Sequence, residues 1–307
     1  MTSGKTSTII FFGTEEFSAE SLRALIANGF NIAAVVTKPD SKKGRGHKMI
    51  SPTVKIIAQK HNIPVWQPAK LRDITEDIKQ LQPATGVLVS FGKIIPQSTI
   101  DLFTPGIINV HPSPLPKYRG PSPIESAILH GDSETGVSIM QLSAAMDAGP
   151  VYSFISHLLK GTETQPELYE TLSKVGASEL VRVLPQIISG ELRPTPQDES
   201  AATYCQLIQK SDGTVDWNKP AEQIVREIHA YKGWPGSRTT LGEIDVIITS
   251  ASVVECMGLS QEGTPLDHFT VRCGDGWCLS IESLKPVGKK EMPIQAFLAG
   301  YKDRLKS

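Results

Sequence analysis

Short apolar, β-branched runs punctuate the first part of the chain, at residues 8–12, 32–36, 64–66, 85–89 and 106–108. Helical patterns separate them. The run 8–12 ends at Gly13, after which Thr14 can cap a helix, Glu15 and Glu16 occupy its first turn, Leu22, Leu25 and Ile26 form its apolar stripe and Gly29 ends it. Residues 51–61 repeat the pattern with Pro52 at the start and Val54, Ile56, Ile57 and Ala58 as apolar positions, and 73–81 is amphipathic. Strands alternating with helices predict βαβ units and an α/β fold with a mostly parallel sheet flanked by helices. Further on, the pattern predicts a helix at 121–129 with prolines confined to its first turn, a strand at 136–142 and an extended run at 151–158. A long helical stretch, 164–188, carries Leu168, Leu172, Val175, Leu180, Val183, Leu184 and Ile187, with Pro185 as a bend or break.

From Ser189 to about Gln206 the periodicity fades into GELRPTPQDESAATYC, which suits a linker. Beyond Leu207, apart from one helix around 221–231, β-rich runs recur at 242–248, 252–255, 269–273 and 278–284 between glycines, which predicts a small barrel. The expected organisation is an α/β domain over 1–189, a linker over 190–206 and a β-rich domain over 207–307.

Composition narrows this picture. A hydrophobic content of 39% and a charged content of 21% are those of an ordinary globular protein. With a net charge of −1, any RNA contact must come from local basic groups. In the C-terminal part these would be Lys210, Lys232, Arg238, Lys289 and Lys290, each also readable as an ordinary solvated charge. Cys205, Cys256, Cys273 and Cys278 form no C-x-x-C pair and no His cluster lies close by, so the expectation is reduced thiols, no disulfide framework and no metal site. The polar opening MTSGKTS and the absence of a long apolar span predict a cytoplasmic protein without membrane insertion. The first βα unit lacks G-x-G-x-x-G, which leaves a nicotinamide cofactor unsupported.

The densest chemistry lies in NVHPSPLPKYRG, residues 109–120. Asn109 and His111 sit two apart at a strand end and so face the same way. Pro112, Pro114 and Pro116 keep the following backbone out of helix. Asp147, in MQLSAAMDAGPVY, ends a later strand and precedes a Gly-Pro turn. An amide, an imidazole and a carboxylate at neighbouring strand ends suit proton transfer and oxyanion stabilisation at a carbonyl. Gly92, Ile94 and Ile95 follow the strand 85–89, beyond the carboxyl end where α/β sheets hold ligands, and read equally as pocket walls or plain core. The Gly-punctuated stretch with Lys42, Lys43, Arg45, His47 and Lys48 reads either as a solvated loop or as an arm for phosphates.

NVHPSPLPKYRG, followed by PSPIESAILHGDSETGVSIMQ and AMDAGP, resembles the methionyl-tRNA formyltransferase family, over nearly the whole chain from IIFFGTEEFS to the late Lys-Lys pair. One departure is Pro114, where the family usually carries leucine. The resemblance implies a Rossmann-like formyltransferase sheet plus an OB-like C-terminal domain. It implies transfer of the formyl group of 10-formyltetrahydrofolate to the α-amine of initiator methionyl-tRNA, in a monomer needing no metal. Asn109, His111 and Asp147 match the catalytic set. Gly92, Ile94 and Ile95 match a wall of the folate pocket, and Ser113, Pro114, Leu115 and Pro116 match the folate-binding loop. The basic loop matches an insertion set against the tRNA acceptor arm, with Arg45 matching its arginine and Lys42 and Lys43 beside it. On this reading Asn109 donates to the oxygen of the tetrahedral centre, protonated His111 adds a second donor, and Asp147 holds His111 or a water and receives the amine proton. The rival readings are a formyltransferase for a small amine such as an amino sugar nucleotide, a non-catalytic RNA-binding module, and a folate hydrolase.

Overall fold

The computed structural model describes residues 7–43, 48–256, 261, 263 and 270–301, with the backbone alone at 42, 43 and 48. Its first sheet starts with β1 (Thr8–Gly13), an interior strand. Ile9, Ile10, Phe11 and Phe12 of β1 are all fully buried, because a parallel strand covered on both faces has no polar side. Helix α1 (Glu16–Ala27) returns the chain to β2 (Asn31–Val36). A small antiparallel pair follows, β3 (Ser41–Lys43) with β4 (Lys48–Ile50), then α2 (Thr53–Lys60), β5 (Val65–Trp66), α3 (Thr75–Gln80) and β6 (Ala84–Val89). A short α4 (Gln97–Ile100) leads to β7 (Ile107–His111). The sheet is completed by β8 (Glu134–Gln141) and β9 (Val151–Leu158), with α5 (Pro123–His130) between β7 and β8.

The seven strands lie in the order β5-β2-β1-β6-β7-β8-β9. Five are mutually parallel, and β8 runs antiparallel to β7. The order steps away from β1 in both directions, so the crevice beyond the carboxyl ends of β1, β6 and β7 is where such a sheet takes ligands. Thr14 and Glu15 both donate backbone N–H to the Ser90 carbonyl at 3.2 Å and so tie the loops after β1 and β6 together there.

Helix α6 (Gln165–Ser189) runs unbroken through Pro185, where the sequence allowed a break. The C-terminal part holds α7 (Ala221–Ala230), β10 (Ser237–Leu241), β11 (Ile244–Val254), β12 (Thr270–Arg272), β13 (Cys278–Pro286), β14 (Met292–Pro293) and α8 (Ile294–Tyr301). Its strands pair antiparallel in the order β10-β11-β13-β12, with β14 on β13, as a curled, small barrel-like sheet. Two strands expected at 242–248 and 252–255 are one, β11, whose pairing with β13 shifts register around Ser250; the small polar residues there bulge without ending the ladder. The expectation of reduced thiols is corrected at one pair. Cys256 lies two residues past Val254, which pairs with Cys278, so the two Cα atoms are 5.1 Å apart and the sulfurs form a disulfide. Cys205 and Cys273 are buried and lie outside the disulfide, and burial pushes the Cys273 thiol up to about 11.

Backbone packing divides the chain into two units, one of residues 1–120, 135–158 and 169–205, the other of 121–134, 159–168 and 206–307. Helix α5 thus packs in the second unit, against α7. Among the described residues no helix is long and apolar enough to cross a membrane.

Candidate active site

Strand β7 is apolar as far as Ile108 because it is buried between two neighbours, and it ends in Asn109-Val110-His111, all buried. Asn109 pairs with Leu88 on one side and Met140 on the other, so its carboxamide emerges at the strand ends. Asn109 is only 5% exposed, yet its carboxamide has no hydrogen-bond partner among the described residues, which leaves its donor free for a ligand oxygen.

The loop after β7 is held by a hydroxyl relay. Ser138 of β8 donates to the Ser113 carbonyl at 2.7 Å and accepts from the Leu115 N–H at 3.2 Å. Ser113 is fully buried and its hydroxyl donates to the Lys117 carbonyl at 2.6 Å, which commits it to the turn rather than to nucleophilic work. The Leu115–Pro116 bond is cis. Pro114, Leu115 and Pro116 are half-buried, so each keeps a partly exposed surface.

His111 is fixed by the same loop. Its Nε2 lies 3.0 Å from the Tyr118 carbonyl, which can only accept, so Nε2 carries a hydrogen. The free nitrogen is Nδ1, and it faces Oδ2 of Asp147 at 3.7 Å. That separation is longer than a hydrogen bond, with room to tighten around a reacting group. Oδ2 also accepts the Gly120 N–H at 2.9 Å. Tyr118 (φ 59°) and Asp147 (φ 48°) both occupy the left-handed region, a conformation that survives only where surrounding contacts impose it. Gly120 (φ 122°) is obligatory, since a Cβ there would lie 2.4 Å from the Cys205 carbonyl oxygen.

The structure therefore brings Asn109, His111 and Asp147 to one set of strand ends. It treats the loop after β6 less evenly. Gly92 (φ 68°) turns the chain, and Ile94 is 91% exposed and available to a ligand. Ile95 is buried among Phe12, Leu88, Phe91 and Phe103, so its side chain belongs to the core. Lys42 and Lys43 lie on β3, and Arg45 lies outside the described residues. The base of that β-hairpin is clamped by Asp40, which accepts from Ser51 Oγ (2.8 Å), Lys55 Nζ (2.9 Å) and Gln67 Nε2 (2.9 Å). These hydrogen bonds, Gln67 first, hold its carboxyl down at about 2.

Sequence reasoning missed one side of this site. Arg119 is 1% exposed, and its partners come from the segment read as a linker: Gln197, Glu199 and Tyr204. The same segment pairs backbone to backbone with the loop, Arg119 N–H to the Thr203 carbonyl at 2.9 Å and Cys205 N–H to the Arg119 carbonyl at 2.8 Å. The sequence signal was slight: an arginine inside a proline-rich buried loop requires an acidic partner, but nothing in the chain's periodicity identified Glu199. Among the described residues no group of three or more His, Cys, Asp or Glu side chains could hold a metal ion.

The sequence model of the formyl transferase family matches residues 6–184, and that of the formyl transferase C-terminal domain matches residues 207–302. The chain is 39% identical over 299 residues to a methionyl-tRNA formyltransferase of Chloroflexus aurantiacus, covering 95% of this chain and 96% of that protein. It is 39% identical over 300 residues to the methionyl-tRNA formyltransferase of Myxococcus xanthus, covering 96% and 95%. Among solved structures, an N-formyltransferase from Helicobacter canadensis in complex with folinic acid and dTDP-3-aminofucose superposes with a TM-score of 0.69 at 18% identity, covering 90% of this chain and 98% of that one. HypX from Aquifex aeolicus in complex with tetrahydrofolic acid superposes at 0.65 and 16% identity, covering 97% of this chain and 47% of that one. At such identities the structural likeness speaks for the fold.

Proposed function

The chain belongs to the methionyl-tRNA formyltransferase family, and from that premise we propose that Asn109, His111 and Asp147 carry the transfer of a formyl group from 10-formyltetrahydrofolate to the α-amine of initiator methionyl-tRNA. The observation that carries the assignment is the approach of His111 Nδ1 to Asp147 Oδ2 at 3.7 Å beside the unpaired Asn109 carboxamide. The folate is a substrate, used once per turnover. Ile94 and the half-buried faces of Pro114, Leu115 and Pro116 fit a flat apolar ring, and Gly92 lets the backbone turn beside it.

The chain's own groups divide the chemistry. An α-amine has a pKa of roughly 8, so a usable fraction is neutral near pH 7. As it adds to the formyl carbon, charge grows on the oxygen, and the Asn109 N–H meets it; one such donor is worth about 3–4 kcal/mol of barrier. Because Tyr118 holds Nε2, the His111 atom facing the reacting groups is Nδ1. Asp147 Oδ2, already fixed by the Gly120 N–H, receives the amine proton directly or through His111; collapse of the tetrahedral centre then breaks the bond from the formyl carbon to folate N10, and that proton passes to N10 as tetrahydrofolate leaves.

The reading assigns residues 1–189 to folate and chemistry and 207–307 to the RNA, with 190–206 between them. Lys42, Lys43 and Arg45 take the acceptor-arm phosphates. Arg45→Ala is expected to raise the KM for tRNA far more than that for folate and to lower the salt slope of tRNA binding by about one.

The test is formylation by the purified protein with a 10-formylfolate donor, comparing initiator methionyl-tRNA with dTDP-linked amino sugars. Formyl transfer to the tRNA alone supports the reading. Transfer to the sugar amine alone would replace it with the small-amine alternative that the fold also accommodates.

A further inference from the structure

We propose that Gln197, held by the buried Arg119, is a positioning residue for Asp147, so that the segment between the two matched family regions supplies one arm of the active site. This deepens the proposed function and rests on it. Neither family match, 6–184 or 207–302, includes Gln197.

Arg119 uses all five of its N–H groups. Nε and Nη2 donate to Gln197 Oε1 at 3.0 and 2.9 Å. Nη1 and Nη2 form a two-point pair with Glu199 at 2.9 and 2.7 Å, and Nη1 also reaches the Tyr204 hydroxyl at 3.2 Å. A guanidinium has no acceptor, so the Gln197 group facing it must be its carbonyl. That fixes the orientation of the amide. Its Nε2 then points the other way, and its two hydrogens go to the Asp147 and Gly149 carbonyls, each at 2.7 Å.

Those two carbonyls belong to the turn that carries Asp147 in the left-handed region at φ 48°. The turn is also confined from below, since a Cβ on Gly149 would lie 1.8 Å from the Gln141 carbonyl oxygen. Asp147 is thus held twice: its backbone by Gln197, and its carboxylate by the N–H of Gly120, the residue next to Arg119. Both restraints lead to Arg119, which is 1% exposed and fully paired. Gln197 touches no reacting group. Its effect is to set where Asp147 Oδ2 stands relative to His111 Nδ1. A misplacement of about 1 Å at such a site costs about a hundredfold in rate.

The experiment compares Gln197→Glu and Gln197→Met in the full chain, alone and combined with Asp147→Asn, measuring single-turnover formyl transfer to methionyl-tRNA, steady-state kinetics on both substrates and the melting temperature. Gln197→Glu keeps an oxygen toward Arg119 and loses both N–H donors; Gln197→Met loses both partners at nearly the same length. The expected result in either variant that folds is a rate lower by about tenfold to a hundredfold with both KM values within about twofold. In the Asp147→Asn background the same change should cost less than about twofold, because the residue it positions has already been disabled. A single-variant rate within twofold of the parent, a loss that multiplies onto that of Asp147→Asn, or failure of both Gln197 variants to fold would each overturn the positioning role. If Asp147→Asn alone leaves the rate intact, the catalytic assignment fails instead.

Discussion

The loops at the end of β7 and the core of the C-terminal sheet are buried to a similar degree by opposite means. Around α7, β11, β13 and α8 the buried set is Ile224, Ile228, Val246, Ile248, Leu279, Ile281, Leu284 and Phe297, held by shape and the exclusion of water. At the strand ends His111, Ser113, Arg119 and Ser138 are buried instead, held by directional hydrogen bonds, around the buried Asn109 carboxamide. An apolar core tolerates exchanges that conserve volume. A polar network does not, because every partner lost leaves a buried group unsatisfied, at about 1–3 kcal/mol. The comparison teaches that one region sets the stability of its unit, whereas the other sets a geometry.

The largest effect that would break this contrast is at Asp147. Asp147→Asn should lower kcat by about a hundredfold to ten-thousandfold with the melting temperature little changed, since the amide oxygen can still accept from Gly120. A variant with a much lower melting temperature but normal turnover would reverse the roles of the two regions. Asn109→Ala comes next, with a loss of about a hundredfold to a thousandfold in kcat and small changes in KM. Steady-state kinetics on both substrates check it.

The opposite test is Phe297→Ala in the C-terminal core. Phe297 is fully buried and its ring lies 4.9 Å from that of Tyr301. About 3–5 kcal/mol of stability should be lost, read by denaturant unfolding, while the rate of the remaining folded protein with saturating substrates stays near that of the parent.

The smallest effect sharpens the picture at the base of the β3–β4 hairpin. The Asp40 carboxyl sits lower in the folded protein, at about 2, than its ordinary value of 3.8. Its stabilising contribution is therefore complete above about pH 4 and is lost as the pH falls toward 2. Asp40→Asn should flatten that part of the stability profile slightly and leave neutral-pH turnover unchanged.

Much of this architecture was legible in local pattern. The buried parallel strands appear as continuous apolar runs, because a strand covered on both faces needs no alternation. Asn109 and His111 share a face because the strand period is two, and that holds before any tertiary contact. The same reasoning left Ile95 open as pocket wall or core, and only packing assigned it to the core.

What tertiary structure alone decided lies far apart in the chain. The segment GELRPTPQDESAATYC has no periodicity, so it read as a linker, yet Gln197, Glu199 and Thr203 complete the loop of Tyr118 and Arg119. The Cys256–Cys278 bond depended on strand register rather than on cysteine spacing. Periodicity records which side of an element is dry. It holds no record of which distant donor meets which acceptor, and in this protein those long-range hydrogen bonds fix Asp147 opposite His111.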